Sequence, residues 1–236
     1  MYQNLVISKQ LIIVGGGSSL RTGVNTNLWA KLENKWTIGL NHIYKYYNST
    51  CLMFVDNDFY STNIEDLNKL PLVIGKVHDR IKPTPNLITL KTINKYTRTL
   101  DKGIYKSALV GLFALSLGIY LLDEGEIFLL GFDQGEIDKD KKDSKGRLIT
   151  HMCQEELKHR GIGAVNYYHG RNRAERDFGV YKDEKKIKIY NVSPKSRIPN
   201  TVFEKITYEK FYELLDKQEY NQEDIRSYIR EKLENK

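Results

Sequence analysis

The feature that most constrains this chain is a junction near its start, where the apolar run Leu11-Ile12-Ile13-Val14 passes directly into Gly15-Gly16-Gly17-Ser18-Ser19. Four consecutive branched apolar residues suit a strand buried on both faces, the environment inside a parallel sheet. The three glycines remove every Cβ from the turn that leaves the strand, so its backbone can approach a ligand closely, and the serines add hydroxyl donors. The loop either seats a phosphate or makes a tight structural turn. The dinucleotide fingerprint G-x-G-x-x-G meets Leu20 where its last glycine belongs, and no G-x-x-x-x-G-K-[ST] is present, so NAD binding and P-loop chemistry are both disfavoured.

Further short β-rich runs at 36–40, 51–55, 72–74, 87–90, 127–130 and 187–192 alternate with helical patterns. The expectation is an α/β, Rossmann-like fold: a mostly parallel sheet flanked by helices. Thr62-Asn63-Ile64-Glu65 has the capping-box pattern and predicts a short helix after it. The run 106–122 is apolar nearly all round and predicts a helix covered on every side. Its fifteen uncharged residues, 108–122, would span only about 22 Å as a helix, short of a bilayer core of about 30 Å. Residues 206–236 predict a C-terminal helical extension, with Phe211, Leu214 and Leu215 on one helical face. A second stripe of Ile225, Tyr228, Ile229 and Leu233 starts near Asn221, a fitting N-cap. These stripes pack on the sheet or on a partner chain, which leaves a homo-oligomer open.

At 236 residues the chain can bury one generous core, so residues 1–205 are expected to form a single nucleotide-binding domain. Within it, residues 134–168 hold a highly charged stretch expected to act as a polar lid. A hydrophobic fraction of 40% and a charged fraction of 28% exclude a largely disordered chain. The first fourteen residues lack the pattern of a secretion signal, and the two cysteines, Cys51 and Cys153, cannot build a disulfide framework. A cytoplasmic location is expected. The net charge of +7 favours polyanions, although much of it belongs to solvated faces such as 182–188.

Three clusters carry candidate chemistry. Asp56-Asn57-Asp58 follows a strand, where two carboxylates can hold a divalent cation alongside phosphates, or where Asp58 can cap a helix in an ordinary turn. Gly131-Phe132-Asp133 occupies the analogous place after the 127–130 run. Tyr167-Tyr168-His169-Gly170-Arg171-Asn172-Arg173 packs an imidazole, two phenols and two guanidiniums into one segment. There His169 suits a general base, and Arg171 or a tyrosine hydroxyl suits a departing phosphate. The same segment also suits a nucleic-acid contact or a capped surface turn. His42, His78, His151 and His159 have no convincing metal spacing, so zinc is not expected.

Taken in order, the segment 14–20 (VGGGSSL), Gly39-Leu40-Asn41, Gly131-Phe132-Asp133, His169-Gly170-Arg171-Asn172 and the run 187–194 (IKIYNVSP) resemble the bacterial sialyltransferases of glycosyltransferase family 42. That family shows a G-N-G-P-S-L loop, an asparagine after the second strand, a G-I-D, an H-S-K-N and a strand ending in a C-P-N-S-like motif. The chain also resembles the related 6-hydroxymethylpterin pyrophosphokinase-like proteins. The resemblance implies that Gly15, Gly16, Gly17, Ser18, Ser19 and Asn41 contact a nucleotide, that Asp133 shapes the site and that His169 deprotonates the acceptor. It further implies that Tyr168 or Tyr167 helps the nucleotide phosphate leave, and that Gly103 matches a nucleotide-contacting glycine. Gly16 and Ser18 replace the family's asparagine and proline, and Asp56 replaces a polar amide. The aspartate suits the pyrophosphokinase-like relatives, in which a magnesium-bound nucleotide is expected at Asp56 and Asp58.

The leading expectation is therefore a glycosyltransferase-like enzyme that takes a nucleotide-sugar donor and requires no cofactor. Its acceptor is open and includes a polyanion such as DNA, which the positive charge would attract. The alternatives are a magnesium-dependent pyrophosphoryl or nucleotidyl transferase and a non-catalytic nucleotide- or nucleic-acid-binding protein.

Overall fold

A computed structural model describes residues 8–76, 84–105, 109–134, 144, 152 and 171–234, with the backbone alone at 171 and 172. The chain starts in the middle of its sheet with β1 (Gln10–Val14) and turns through two one-turn helices, α1 (Leu20–Val24) and α2 (Leu28–Leu32). It then steps outward through β2 (Thr37–Leu40), β3 (Cys51–Phe54), α3 (Asn57–Leu67), β4 (Val73–Lys76) and β5 (Leu87–Leu90). A two-stranded ribbon, β6 (Thr92–Ile93) with β7 (Ile104–Tyr105), leads to α4 (Val110–Leu122). The chain then returns to the centre as β8 (Gly125–Leu130), beside β1. Beyond it come α5 (Arg171–Phe178), β9 (Ile187–Asn191), β10 (Glu204–Lys205), α6 (Tyr208–Leu214) and α7 (Gln222–Glu234). The eight-stranded order is β10-β9-β8-β1-β2-β3-β4-β5, and every pairing is parallel. The expected α/β, Rossmann-like architecture is what the chain adopts.

The apolar runs divide by alternation, because successive strand side chains point to opposite faces. Leu11 and Ile13 join one core with Ile38, Met53, Ile127 and Leu129, whereas Ile12 and Val14 join another with Phe128 and Leu130. The first core is covered by α4, α5 and α7. The second is covered by α1, α2 and α6, and a smaller cluster under α3 buries Leu52 and Phe54. Helix α4 is buried on nearly all sides, as its composition predicts. Cys51 lies in the first core, where burial pushes its thiol up to about 12, so it packs as a small hydrophobe.

Both C-terminal helices dock on the sheet, one on each face. Thr207 caps α6 by accepting a hydrogen bond from the Lys210 amide at 3.2 Å, and Phe211 packs on Phe128 with ring centroids 5.1 Å apart. The expected cap at Asn221 is present: its Oδ1 accepts from the amides of Glu223 at 2.9 Å and Asp224 at 3.3 Å. From that start Ile225, Ile229 and Leu233 reach the first core, each burial contributing about 1.5–3 kcal/mol.

One boundary differs from the sequence expectation. Helix α3 begins at Asn57, before Thr62-Asn63-Ile64-Glu65, and that motif marks a kink in which Asn63 leaves helical geometry. The Asn63 side chain explains the break. Its Nδ2 donates to the Phe59 carbonyl at 2.7 Å while its Oδ1 accepts from the Tyr44 hydroxyl at 3.0 Å, so it competes with the helix for backbone groups. Apart from Gln134, Ser144 and Met152, the expected lid, 134–168, lies outside the described residues. Among the described residues no helix is long and apolar enough to cross a membrane.

Candidate functional site

Because the chain leaves β1 toward one edge and returns to β8 on its other side, the loops after these adjacent strands depart in opposite directions. Such a switch point opens a crevice at the carboxyl ends of the strands, where open α/β sheets bind ligands. The glycine loop and Gly131-Phe132-Asp133 both lie there. They are spliced together: the Gly15 amide donates to the Leu130 carbonyl at 2.7 Å and the Gly17 amide to the Gly131 carbonyl at 2.9 Å. A Cβ on Gly17 would stand 2.4 Å from the Gly131 oxygen and 2.7 Å from Asp133 Oδ2. Gly131 has φ +70°, and a Cβ there would stand 2.7 Å from the Gly15 oxygen. The close approach that the glycines permit is thus between two loops of the protein itself.

Asp133 is the centre of the splice and is only 4% exposed. Its carboxylate accepts from the Ser19 amide at 2.7 Å, the Ser18 hydroxyl at 3.3 Å, the Ser193 hydroxyl at 2.9 Å and the Ser19 hydroxyl. These four donors compensate for burying the charge. From the far side, the Ser196 hydroxyl donates to the Phe132 carbonyl at 2.6 Å, the Asn191 amide to the same oxygen at 3.3 Å, and the Arg197 amide to the Asp133 carbonyl at 2.9 Å. The sequence reading offers the amides of Gly15, Gly17 and Ser19 and both serine hydroxyls to a ligand phosphate. In the structure they bind the protein's own carbonyls and carboxylate. Gly16 differs, since its carbonyl accepts from the Met152 amide at 2.8 Å.

The groups left for a ligand stand on either side of this splice. Asn41 directly follows β2, Asn57 opens α3 after β3, and Gln134 follows Asp133; each buries its side-chain amide oxygen with no hydrogen-bond partner. Asn41 and Gln134 also hold positive φ, +49° and +51°, a conformation that non-glycine residues rarely adopt. Strands β8, β1, β2 and β3 are consecutive neighbours, so these residues lie along one edge of the sheet. Asp56 takes the N-cap position of α3, and Asp58 lies exposed in its first turn. Below the loop, the Tyr208 ring packs against Gly23, and its buried hydroxyl has no partner. Burial, followed by the charge of Asp133, holds that phenol above its ordinary range.

The remaining expected site residues are not brought together by the described structure. Tyr167, Tyr168 and His169 lie outside the described residues, as do His78, His151, Cys153 and His159, and Arg171 is described only as the first backbone position of α5. Helix α5 does reach the site loop, because Phe178 at its end meets Phe132 edge-on, with centroids 6.2 Å apart. Gly103 sits in a turn before β7 with φ +116°, where a Cβ would stand 2.5 Å from the Lys91 carbonyl oxygen; that turn accounts for the glycine without a ligand. His42 packs edge-on against Phe59 at 5.0 Å. Among the described residues no group of three or more His, Cys, Asp or Glu side chains is arranged to hold a metal. Asp56 and Asp58 supply two carboxylates, a set that fits magnesium only when phosphates and water complete it.

The sequence reading gives no site role to Asn57, Gln134, Ser193 or Tyr208, although Asn57 and Ser193 fall within motifs it names. For the first three the signal is position alone: each is a polar residue just beyond a buried strand, where backbone pairing has stopped and the ligand edge begins. No protein-family model, curated protein or solved structure matches the chain.

Proposed function

We propose that the chain is a glycosyltransferase-like enzyme that binds a nucleotide-sugar at the carboxyl edge of β8, β1, β2 and β3. One observation carries this reading: the glycine loop and Asp133, far apart in sequence, meet at the switch point of a parallel sheet, with Asn41 on the next strand. Their order and placement agree with the resemblance to family 42, which supplies the reaction type. The acceptor hydroxyl gives its proton to His169 as its oxygen attacks the sugar's anomeric carbon. The bond from that carbon to the phosphate oxygen breaks, and the nucleotide leaves with the electron pair. Since Asp133 already engages the serine hydroxyls, the leaving phosphate is met by Arg171 and Tyr168, from the segment that runs into α5.

Incubation with CMP-, UDP- and GDP-sugars and a panel of hydroxyl acceptors, DNA included, should release free nucleotide in the presence of EDTA. His169→Ala should lower kcat about 100-fold or more while nucleotide affinity and the circular dichroism spectrum stay unchanged. Turnover that requires magnesium and is lost with Asp56→Asn would replace this reading by pyrophosphoryl or nucleotidyl transfer. Tight nucleotide retention with no product under any condition would leave a binding protein instead.

A further inference from the structure

We infer that Asn57 and Gln134 select the ligand by its neutral hydrogen-bond donors, the hydroxyls of a ribose or the amino group of a base, and not by its phosphates. The inference rests on the nucleotide reading above and gives a role to two residues to which neither the motifs nor the resemblance assigns one. Each residue buries an amide oxygen without a partner, and buried acceptors in folded proteins are almost always paired. Ordinary partners stand close by in both cases. Asn57 lies in the first turn of α3, where free backbone amides are the usual donors to a side-chain oxygen, yet its oxygen takes none. Gln134 adjoins Asp133, whose carboxylate collects four donors, and is itself held at φ +51° with its oxygen unpaired.

The placement limits what can satisfy them. Gln134 lies beyond β8 and Asn57 beyond β3, three strand spacings away, or about 14 Å at roughly 4.8 Å per strand. A lone phosphate cannot serve both ends, whereas a nucleotide carrying a sugar can. An amide oxygen accepts but does not attract anions, so donor-bearing neutral groups are the chemistry favoured here.

Calorimetry and thermal melts with CMP, UMP and 2′-deoxy-CMP as probes test this in the full chain. Asn57→Leu and Gln134→Met keep the side chain's size and remove the orphaned oxygen. Each should weaken binding of the tightest probe about 10-fold while raising the melting temperature of the ligand-free protein by about 2–4 °C. Asn57→Asp and Gln134→Glu, which keep the acceptor, should retain binding. A merely structural amide would not couple a more stable free protein to a weaker complex. If the donor is the ribose hydroxyl, 2′-deoxy-CMP binds the wild type and the Leu or Met variant alike; if it is the base amine, UMP does. Unchanged affinity, or a lowered melting temperature or loss of folding in Asn57→Leu and Gln134→Met, overturns the inference while leaving the nucleotide reading intact. Failure of the wild type to bind any of the three probes, or GMP, or the CMP-, UDP- and GDP-sugars, removes both.

Discussion

The strands that run through the middle of the sheet end in two different ways. At their amino ends polar groups answer one another: the Thr37 and Thr50 amides each donate to the other residue's hydroxyl at 3.0 Å, and the Thr50 hydroxyl donates to Gln222 at 2.7 Å. Arg226 Nε donates to the Thr50 carbonyl at 3.0 Å, and Lys35 donates to the Gln218 carbonyl. Gln10 extends this network at β1, donating to Glu126 and to the Leu214 carbonyl at 2.8 Å each and accepting from the Asp216 amide at 2.7 Å. The Trp36 indole N–H is the exception there. At the carboxyl ends of β2, β3 and β8 the pattern reverses, with three orphaned amide oxygens and two non-glycine residues at positive φ. The amino end is largely paired within the protein, and the carboxyl ends of β2, β3 and β8 keep buried amide oxygens that the protein's own donors do not reach.

Substitutions should separate the two ends. The largest effect is expected at the splice beneath the site: Gly131→Ala puts a Cβ against the Gly15 carbonyl at a positive φ, costing about 3–5 kcal/mol. A fall of about 10 °C or more in the melting temperature, with nucleotide binding lost, is the expected result; a near-wild-type melt would show that the two loops are not locked together. Arg226→Ala comes next, since it strips the buried Thr50 carbonyl of its donor. It should cost about 2–3 kcal/mol, or about 4–12 °C, with nucleotide affinity unchanged. A parallel loss of affinity would mean that the two ends are coupled.

The smallest effect concerns acid. The Tyr220 hydroxyl, and after it the Gln218 amide, hold the Asp216 carboxyl below its ordinary range. A lowered folded value means that this stability is fully present above the unfolded value of about 4 and is lost as pH falls through the folded one. The group is mostly solvated, so the contribution is less than about 1 kcal/mol. Asp216→Asn should therefore lower stability by less than about 1 kcal/mol at neutral pH and slightly flatten the acid limb, the variant and the wild type converging as pH falls below about 4, as read from urea melts across pH.

Much of the scaffold was legible along the chain. Runs such as Leu11-Ile12-Ile13-Val14 are apolar on both strand faces, and the 110–122 helix is apolar all round. The Asn221 cap precedes a clean helical stripe. Each of these signals is local: a side-chain period, a composition or a cap within a few residues. Even so, Thr62-Asn63-Ile64-Glu65 read as a helix start and became a kink, because Tyr44 and the Phe59 carbonyl both claim the Asn63 side chain.

The glycine loop shows where local signals stop. Three glycines after a buried strand announce a close backbone approach, and the amino-acid order alone establishes that much, along with an α/β chain of parallel strands. What approaches was settled by the fold, because Asp133 lies 114 residues from Ser19 and Ser193 a further 60 beyond Asp133. No periodicity or propensity encodes a pairing at that separation. It arises when β8 returns to pair with β1, and that same return places Gln134 three strands from Asn57 along one edge of the sheet, each with its amide oxygen unpaired.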